Sequence, residues 1–426
     1  MKVNDKHFEK KDIQTILKHI LLKDYLTRWA NVFMKASIST SIKKCHFVDC
    51  FAGRGTFEDG QEGSPLIAIN KLFNLQREFQ YKRQCRFFIH TVELLDDYHN
   101  MLQQMAQTSP FPAQINNYCG EFKSHVTSLL SSTAGSPALY FVDPFGYKGV
   151  HMADIIRILS ERAHEVLINV MSYSLVRNYR IQNNHVELCN FFGIDVLPPN
   201  ISEYIKMASS KDIMENQVSR SLFEKLEDQI IDLYIHRLKS NFNEPVYALK
   251  KRIYSPLNPN VYFHLVFATR SRAGLIEMKS SMVTFEHLRL KAEDAYHTTT
   301  GSIKMLYADD LFSESTYARL YDYFDFVKEI MQHFNNTETT YGQIIDYFLQ
   351  QSPLPFRDES NQKSIYDFSA QLFKKNSCVV ASSQSFANYK EADSLSLKIK
   401  FPVDYLNRIS QAGPTMEQMD IFNDIF

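Results

Sequence analysis

The stretch HFVDCFAGRGTFEDGQEGSP, residues 46–65, passes from an apolar run through an acid and two glycines to a long polar loop, and only then reaches Ser64-Pro65. Gly53 and Gly55 let the main chain turn sharply at the end of a strand and admit a ligand close to the backbone. Ser64 followed by proline marks a helix start, a cap and then the first helical position. In a dinucleotide fingerprint the helix opens among the glycines and its N-terminus meets a pyrophosphate. Here the spacing predicts a helix nine residues after Gly55, which points to a ligand without phosphate.

Outward from that loop, apolar runs alternate with helical patterns. Strands are expected over 45–51, 86–94, 114–120, 137–145 and 164–173, with helices after Pro65 and around 95–107, 121–131 and 151–162. Near-continuous apolar strands separated by helices predict an α/β fold with a parallel sheet covered on both faces. Two β-rich runs, 245–255 and 260–270, are joined by PLNPN and must be antiparallel neighbours, because a parallel crossover needs a dozen or more residues. Five parallel strands closed by a late hairpin are the Rossmann-like arrangement of class I methyltransferases, and this is the fold class expected.

Ahead of the first strand, 15–35 form an amphipathic helix with Ile16, Ile20, Leu21, Tyr25, Trp29, Val32 and Phe33 on one stripe. Lys18 and His19 on it either reach a ligand or are solvated or packed, and the second reading is favoured. Residues 174–240 read as a helical insertion, 291–336 as a connector and 337–426 as a winged-helix-like module: helices over 340–351 and 361–377, then strands over 378–383 and 394–401. The methyltransferase-like domain is thereby expected over 1–290.

A sheet of this kind suggests S-adenosylmethionine, which needs a glycine turn, an acid near its cationic end and a carboxylate for both ribose hydroxyls. Asp49 is the candidate for the first acid. Glu93 is the candidate for the second, at the end of the second strand but well beyond the roughly 20-residue spacing of a tight dinucleotide unit. Cys119, Gly120 and Glu121 fall where the adenine would lie; Glu121 either accepts the adenine amine or is a helix N-terminal residue.

The fourth strand ends in YFVDPFGYKG. An acid then proline at that place resembles the D-P-P-Y of amino-group methyltransferases, in which the acid and the proline carbonyl accept the two N–H bonds of an amine and an aromatic ring stacks on the flipped base. Asp143 and Pro144 match it. Phe145 replaces the second proline, Gly146 the aromatic, and Tyr147 comes one residue later; the alternative is that Asp143-Pro144 ends the strand and Phe145 packs. Asn169 either lines the site or, more in keeping with its mid-strand place, satisfies a backbone group.

With these segments in order after KHILLKDYLTRW, and with YFHLVFATRSRAGLIEMKSSM after them, the chain resembles the three-Cys-motif partner protein (TcmP) family over residues 15–290. The resemblance implies a methyltransferase-like protein whose glycine motif falls on Asp49, Phe51, Ala52, Gly53 and Gly55, its ribose acid on Glu93 and its D-P-F-G-Y on Asp143 to Tyr147. It also implies a partner, a radical-SAM protein carrying three cysteines.

The composition is that of a globular chain of 426 residues, 44% apolar and 22% charged, and a net charge of −1 supplies no overall basic field for nucleic acid or an anionic membrane. Any nucleic-acid contact must come from a local patch, for which Lys363, Lys374, Lys375 and Lys390 in the C-terminal module are candidates. Six cysteines without a C-x-x-C pair argue against a zinc or iron–sulfur site and for a reducing compartment. The charged N-terminus and the lack of any apolar run near 20 residues lead to the expectation of a cytoplasmic protein. The function expected is methyl transfer, with an amino group of a nucleic-acid base the favoured acceptor; the alternative is a catalytically silent scaffold that binds nucleic acid or a partner protein.

Overall fold

The computed structural model describes residues 12–79, 85–171, 175, 185–196, 198–199, 217–253, 263–300, 330, 332–334, 337–351 and 398–400. The chain divides into two compact units, Met1–Met305 and Leu306–Phe426. The first is built as α1 (Ile13–Ala36), β1 (Lys44–Asp49), α2 (Ser64–Phe79), β2 (Arg86–Glu93), α3 (Asp96–Thr108), β3 (Ile115–Cys119), α4 (Phe122–Thr133), β4 (Ala138–Val142), α5 (Met152–Ser160) and β5 (His164–Val170), followed by α6 (His185–Phe192), α7 (Gln217–Lys239), β6 (Tyr247–Ile253), β7 (Phe263–Thr269) and α8 (Arg272–Thr300).

The seven strands form one sheet in the order β3-β2-β1-β4-β5-β7-β6. β1 to β5 are parallel; β7 runs antiparallel to both β5 and β6. This is the order expected of a class I methyltransferase sheet, and it brings the carboxyl ends of β1, β2 and β4 side by side. β4 and β5 are buried at every position, which is why their sequences are unbroken apolar runs rather than alternations. The strands are shorter than expected at their carboxyl ends: β4 stops at Val142, leaving Asp143 on the loop beyond it.

One face of the sheet is covered by α1, α2 and α8, where Leu17, Leu21, Tyr25, Trp29, Ile67, Phe73 and Phe285 meet Phe47, Phe87, Phe141 and Phe267. The other face is covered by α4 to α7. A polar pin fixes α1: the Tyr25 hydroxyl donates to Glu165 Oε2 at 2.6 Å, and Thr269 Oγ1 donates to Glu165 Oε1 at 3.0 Å. Burial holds the Glu165 carboxyl up at about 7. The pin sets the rotation of α1 about its axis, and so the direction in which its neighbouring turn points.

The domain boundary expected at 290 falls inside α8, a continuous helix of 29 residues, and the first unit runs on to Met305. Of the 174–240 insertion, α6 and α7 are described and helical, and α6 packs its Phe191 and Phe192 against Tyr234 of α7. In the second unit β8 (Glu338–Thr340) leads directly into α9 (Tyr341–Gln351), and β8 pairs antiparallel with β9 (Lys398–Lys400). The helix expected over 361–377, the strand over 378–383 and the four candidate lysines lie outside the described residues. Among the described residues, no helix is long and apolar enough to cross a membrane.

Two histidines on adjacent strands carry a consequence for stability. His46 Nδ1 and His90 Nε2 are 3.0 Å apart, and both rings are buried. Burial, with the nearby His164 and Lys44, pulls His46 down to about 4; burial and His46 pull His90 to about 3. Because folding lowers these values from an ordinary 6.5, their contribution is intact above that pH and is lost as the pH falls towards 4. The denaturant midpoint is expected to drop between pH 7 and 4.5, and to drop less in His90→Phe. Buried carboxyls that titrate in this window act equally in both proteins, so equal drops would refute the assignment.

Candidate functional site

Three carboxylates converge at the carboxyl edge of the parallel strands: Asp49 ends β1, Glu93 ends β2, and Asp143 follows β4. Glu93 ties three loops together. Its Oε2 accepts from the Gly53 amide and its Oε1 from the Leu95 amide, each at 2.8 Å, while its main-chain carbonyl accepts from the Gly120 amide, also at 2.8 Å. Each carboxylate oxygen has two lone pairs, so one on each remains for a ligand. Burial raises the Glu93 carboxyl, and the Leu95, Gly53 and Leu94 amides, with the nearby His99, work against that shift.

The loop after β1 turns at Gly53 and Gly55 with φ of 61° and 81°, conformations that favour glycine. Ala52 is buried, its amide bonded to the Val92 carbonyl at 3.0 Å, and Phe51 packs near Phe122 at 5.8 Å between ring centroids. A side chain at Gly55 would meet the flexible end of Met105 of α3, which can move aside, so it is the positive φ rather than packing that calls for glycine here.

The stretch between Gly55 and Ser64 corrects the expectation of a displaced helix. It folds into a small hairpin, with a bridge between Thr56 and Glu62 and a Phe57 amide to Gln61 carbonyl bond of 2.9 Å. At its base the Gly63 amide donates to the Gly55 carbonyl at 2.8 Å. The helix is therefore late in sequence and adjacent in space. What disfavours a phosphate is the occupant of the place beside Ser64, the first residue of α2: a carboxyl group, Asp49.

Asp49 is fully buried, and its Oδ2 has no hydrogen-bond partner among the described residues. Burial pushes its carboxyl up to about 7; the Ser64 hydroxyl and the Phe51 amide pull down, and the charges of Asp143 and Glu93 push further up. A buried carboxyl with one oxygen left unpartnered, flanked by two more acids, favours a cation beside it.

Asp143 is pinned from two sides. Lys18 Nζ, from α1, donates to its Oδ1 at 2.9 Å and its Oδ2 at 2.7 Å. Asn169 Nδ2, from β5, donates to Oδ1 at 2.6 Å. Lys18 also lies 5.6 Å from the centroid of the Phe263 ring. Both readings favoured from the sequence are thus overturned: Lys18 is neither solvated nor merely packed, and Asn169 bonds a carboxylate rather than a backbone group. No local pattern announces either contact, since the pairs are 125 and 26 residues apart.

The aromatic positions are also rearranged. Tyr147, which comes one residue after the place of the motif's aromatic, lies in the core at 1% exposure beside Phe191, because the turn through Gly146 (φ 131°) directs the following residue inward. Phe145, expected to pack if Asp143-Pro144 merely ended a strand, is 68% exposed next to Asp143, and Pro144 is buried. Gly120 turns at φ 129° beside His125. Glu121 is the N-terminal flanking residue of α4, and its side chain is exposed and paired with Lys123 at 3.0 Å, away from the three-acid cluster's hydrogen bonds.

No family model matches the chain, and no curated protein does. Among solved structures, a Legionella pneumophila protein of family DUF519 is similar at 13% identity and a TM-score of 0.35, covering 65% of this chain and 91% of its own. A geranyl diphosphate methyltransferase in complex with GPP and sinefungin is similar at 11% identity and 0.25, over 57% of this chain and 78% of its own. The O-methyltransferase TomG of Streptomyces achromogenes, in complex with SAM, is similar at 8% and 0.28, over 62% and 92%. Likenesses this distant carry no weight for the chemistry of this chain, which rests on the sheet order and the site.

Proposed function

We propose that the chain is an S-adenosylmethionine-dependent methyltransferase acting on nucleic acid. The observation that carries this reading is the buried Asp49 with its unpartnered oxygen, set beside the Gly53 turn and Glu93. When bound, the cofactor supplies a methyl group on a sulfonium, which departs as a neutral thioether. Asp49 holds the cationic end, and the free lone pairs of Glu93 accept the ribose hydroxyls. Positioning of the two reactants supplies most of the acceleration in such a displacement. Calorimetry tests the reading: S-adenosylmethionine is expected to bind in the micromolar range, and no heat up to millimolar ligand would overturn it.

Asp49 gives that binding a pH dependence with a definite sign. A cationic ligand favours the ionised carboxylate, which is about half populated near pH 7 in the free protein. Affinity is expected to fall by up to about tenfold for each pH unit below 7 and to level off above 8, with proton release on binding. Titration in two buffers of different ionisation enthalpy reads the proton directly. Asp49→Asn removes the dependence; a flat profile in the wild type would sink the role given to Asp49.

The resemblance to TcmP proteins supports a partner protein, a three-cysteine radical-SAM protein, as part of the same proposal. The β8–β9 pairing, which brings a strand at the start of α9 to the strand expected at 394–401, supports a wing-like C-terminal module as the nucleic-acid reader. A second reading, a silent scaffold that keeps the cofactor site and binds nucleic acid or the partner, is favoured by one observation: Asp143 already carries three hydrogen bonds from Lys18 and Asn169.

A further inference from the structure

The hydrogen bonds around Asp143 are incomplete in a specific pattern. Lys18 has three N–H donors and directs two at Asp143. Oδ1 of Asp143 takes Lys18 and Asn169, whereas Oδ2 takes Lys18 alone and keeps a lone pair. The orientation of Asn169 follows from its partner, since only the NH2 end of the amide can donate to a carboxylate. Its Oδ1 is therefore an acceptor, and it is buried without a partner among the described residues. A buried amide oxygen is rarely left in that state unless something else completes it.

The cluster thus presents one spare donor, on Lys18, beside two spare acceptors, on Asp143 and Asn169. We propose that these three residues recognise an amino group next to a lone-pair ring nitrogen, the Watson–Crick edge that adenine and cytosine present in single-stranded or flipped nucleic acid. The inference rests on the methyltransferase reading and names its acceptor. The two amine hydrogens meet Asp143 Oδ2 and Asn169 Oδ1, and the ring nitrogen accepts the third N–H of Lys18. Uracil and hypoxanthine place a carbonyl where the amine belongs, setting oxygen lone pairs against a carboxylate. In the reaction the nitrogen forms a bond to the methyl carbon as the carbon–sulfur bond breaks with its electron pair left on sulfur. The nitrogen then sheds a proton to Asp143 Oδ2 and on to water.

Lys18 and Asn169 act here as positioning and specificity residues, so the test reads a preference ratio. The full chain, saturated with S-adenosylhomocysteine, is titrated with short single-stranded homopolymers of A, C, U and I by fluorescence anisotropy. Methyl transfer to the same four is followed with labelled S-adenosylmethionine. A or C is expected to bind about tenfold or more tightly than U and I, and alone to take label. Lys18→Met and Asn169→Leu bring that ratio close to one while the affinity for S-adenosylmethionine stays near wild type, each variant being measured at a temperature where circular dichroism shows it folded; Lys18→Arg restores part of the ratio. Equal binding of all four polymers, binding of none, or an unchanged ratio in both variants would overturn the inference while leaving the cofactor reading standing. Failure of S-adenosylmethionine itself to bind removes both.

Discussion

Replacing Glu93 with alanine is expected to weaken S-adenosylmethionine binding by about 100-fold or more, the largest cofactor effect of any single change in the chain. Two hydrogen bonds from ribose hydroxyls to a carboxylate are lost, each worth about 1.5–3 kcal/mol. The variant also leaves the Gly53 and Leu95 amides without their acceptor, at roughly 1–3 kcal/mol each where they stay buried. A drop in melting temperature therefore accompanies the loss of affinity. Glu93→Gln separates the two effects, because its amide oxygen still takes one loop amide and one hydroxyl. Calorimetry on both variants, at a temperature where circular dichroism shows each folded, is expected to give an intermediate affinity for glutamine. Wild-type affinity in Glu93→Ala would mean that the cofactor does not lie on β2.

The second large effect concerns Asp143. Asp143→Ala is expected to lower methyl transfer by about 1,000-fold, within the range for loss of a positioned acid–base group, while cofactor affinity changes by no more than about threefold. It also strands the Lys18 ammonium, which is only 13% exposed, so stability falls as well. Lys18→Met together with Asp143→Ala removes the stranded charge and is expected to recover much of the stability with none of the activity. That divergence separates a catalytic Asp143 from a structural one. If the single variant retained full biological activity with cofactor bound, the silent-scaffold reading would gain and methyl transfer would fall.

Much of the fold could be read from residue order, for identifiable reasons. Strands buried on both faces write themselves as unbroken apolar runs, and the PLNPN link between two β-rich runs leaves room only for an antiparallel pair. Asp49 and Glu93 were accessible because each ends a strand, where topology alone fixes its neighbours, and Gly53 because a glycine turn follows the first of them. Lys18 and Asn169 were not. Their positions depend on how α1 is rotated by the Tyr25–Glu165 pin and on which side of β5 faces Asp143, and neither is written in local sequence. Tyr147 misled for the opposite reason: motif spacing placed it at the site, while the Gly146 turn placed it in the core and left Phe145 outside.

The hairpin between Gly55 and Gly63 has a bearing on kinship. Its base is closed by a single main-chain bond, so the residues within it are a parenthesis in the chain: they can grow or shrink without changing where α2 begins relative to the glycine turn. Descent can therefore preserve the same cradle while erasing the fixed spacings by which such cradles are usually catalogued. Relatives of this chain are better sought by the acids at the ends of β1, β2 and β4, and by a lysine on the helix before β1, than by any count of residues between the glycines and the helix.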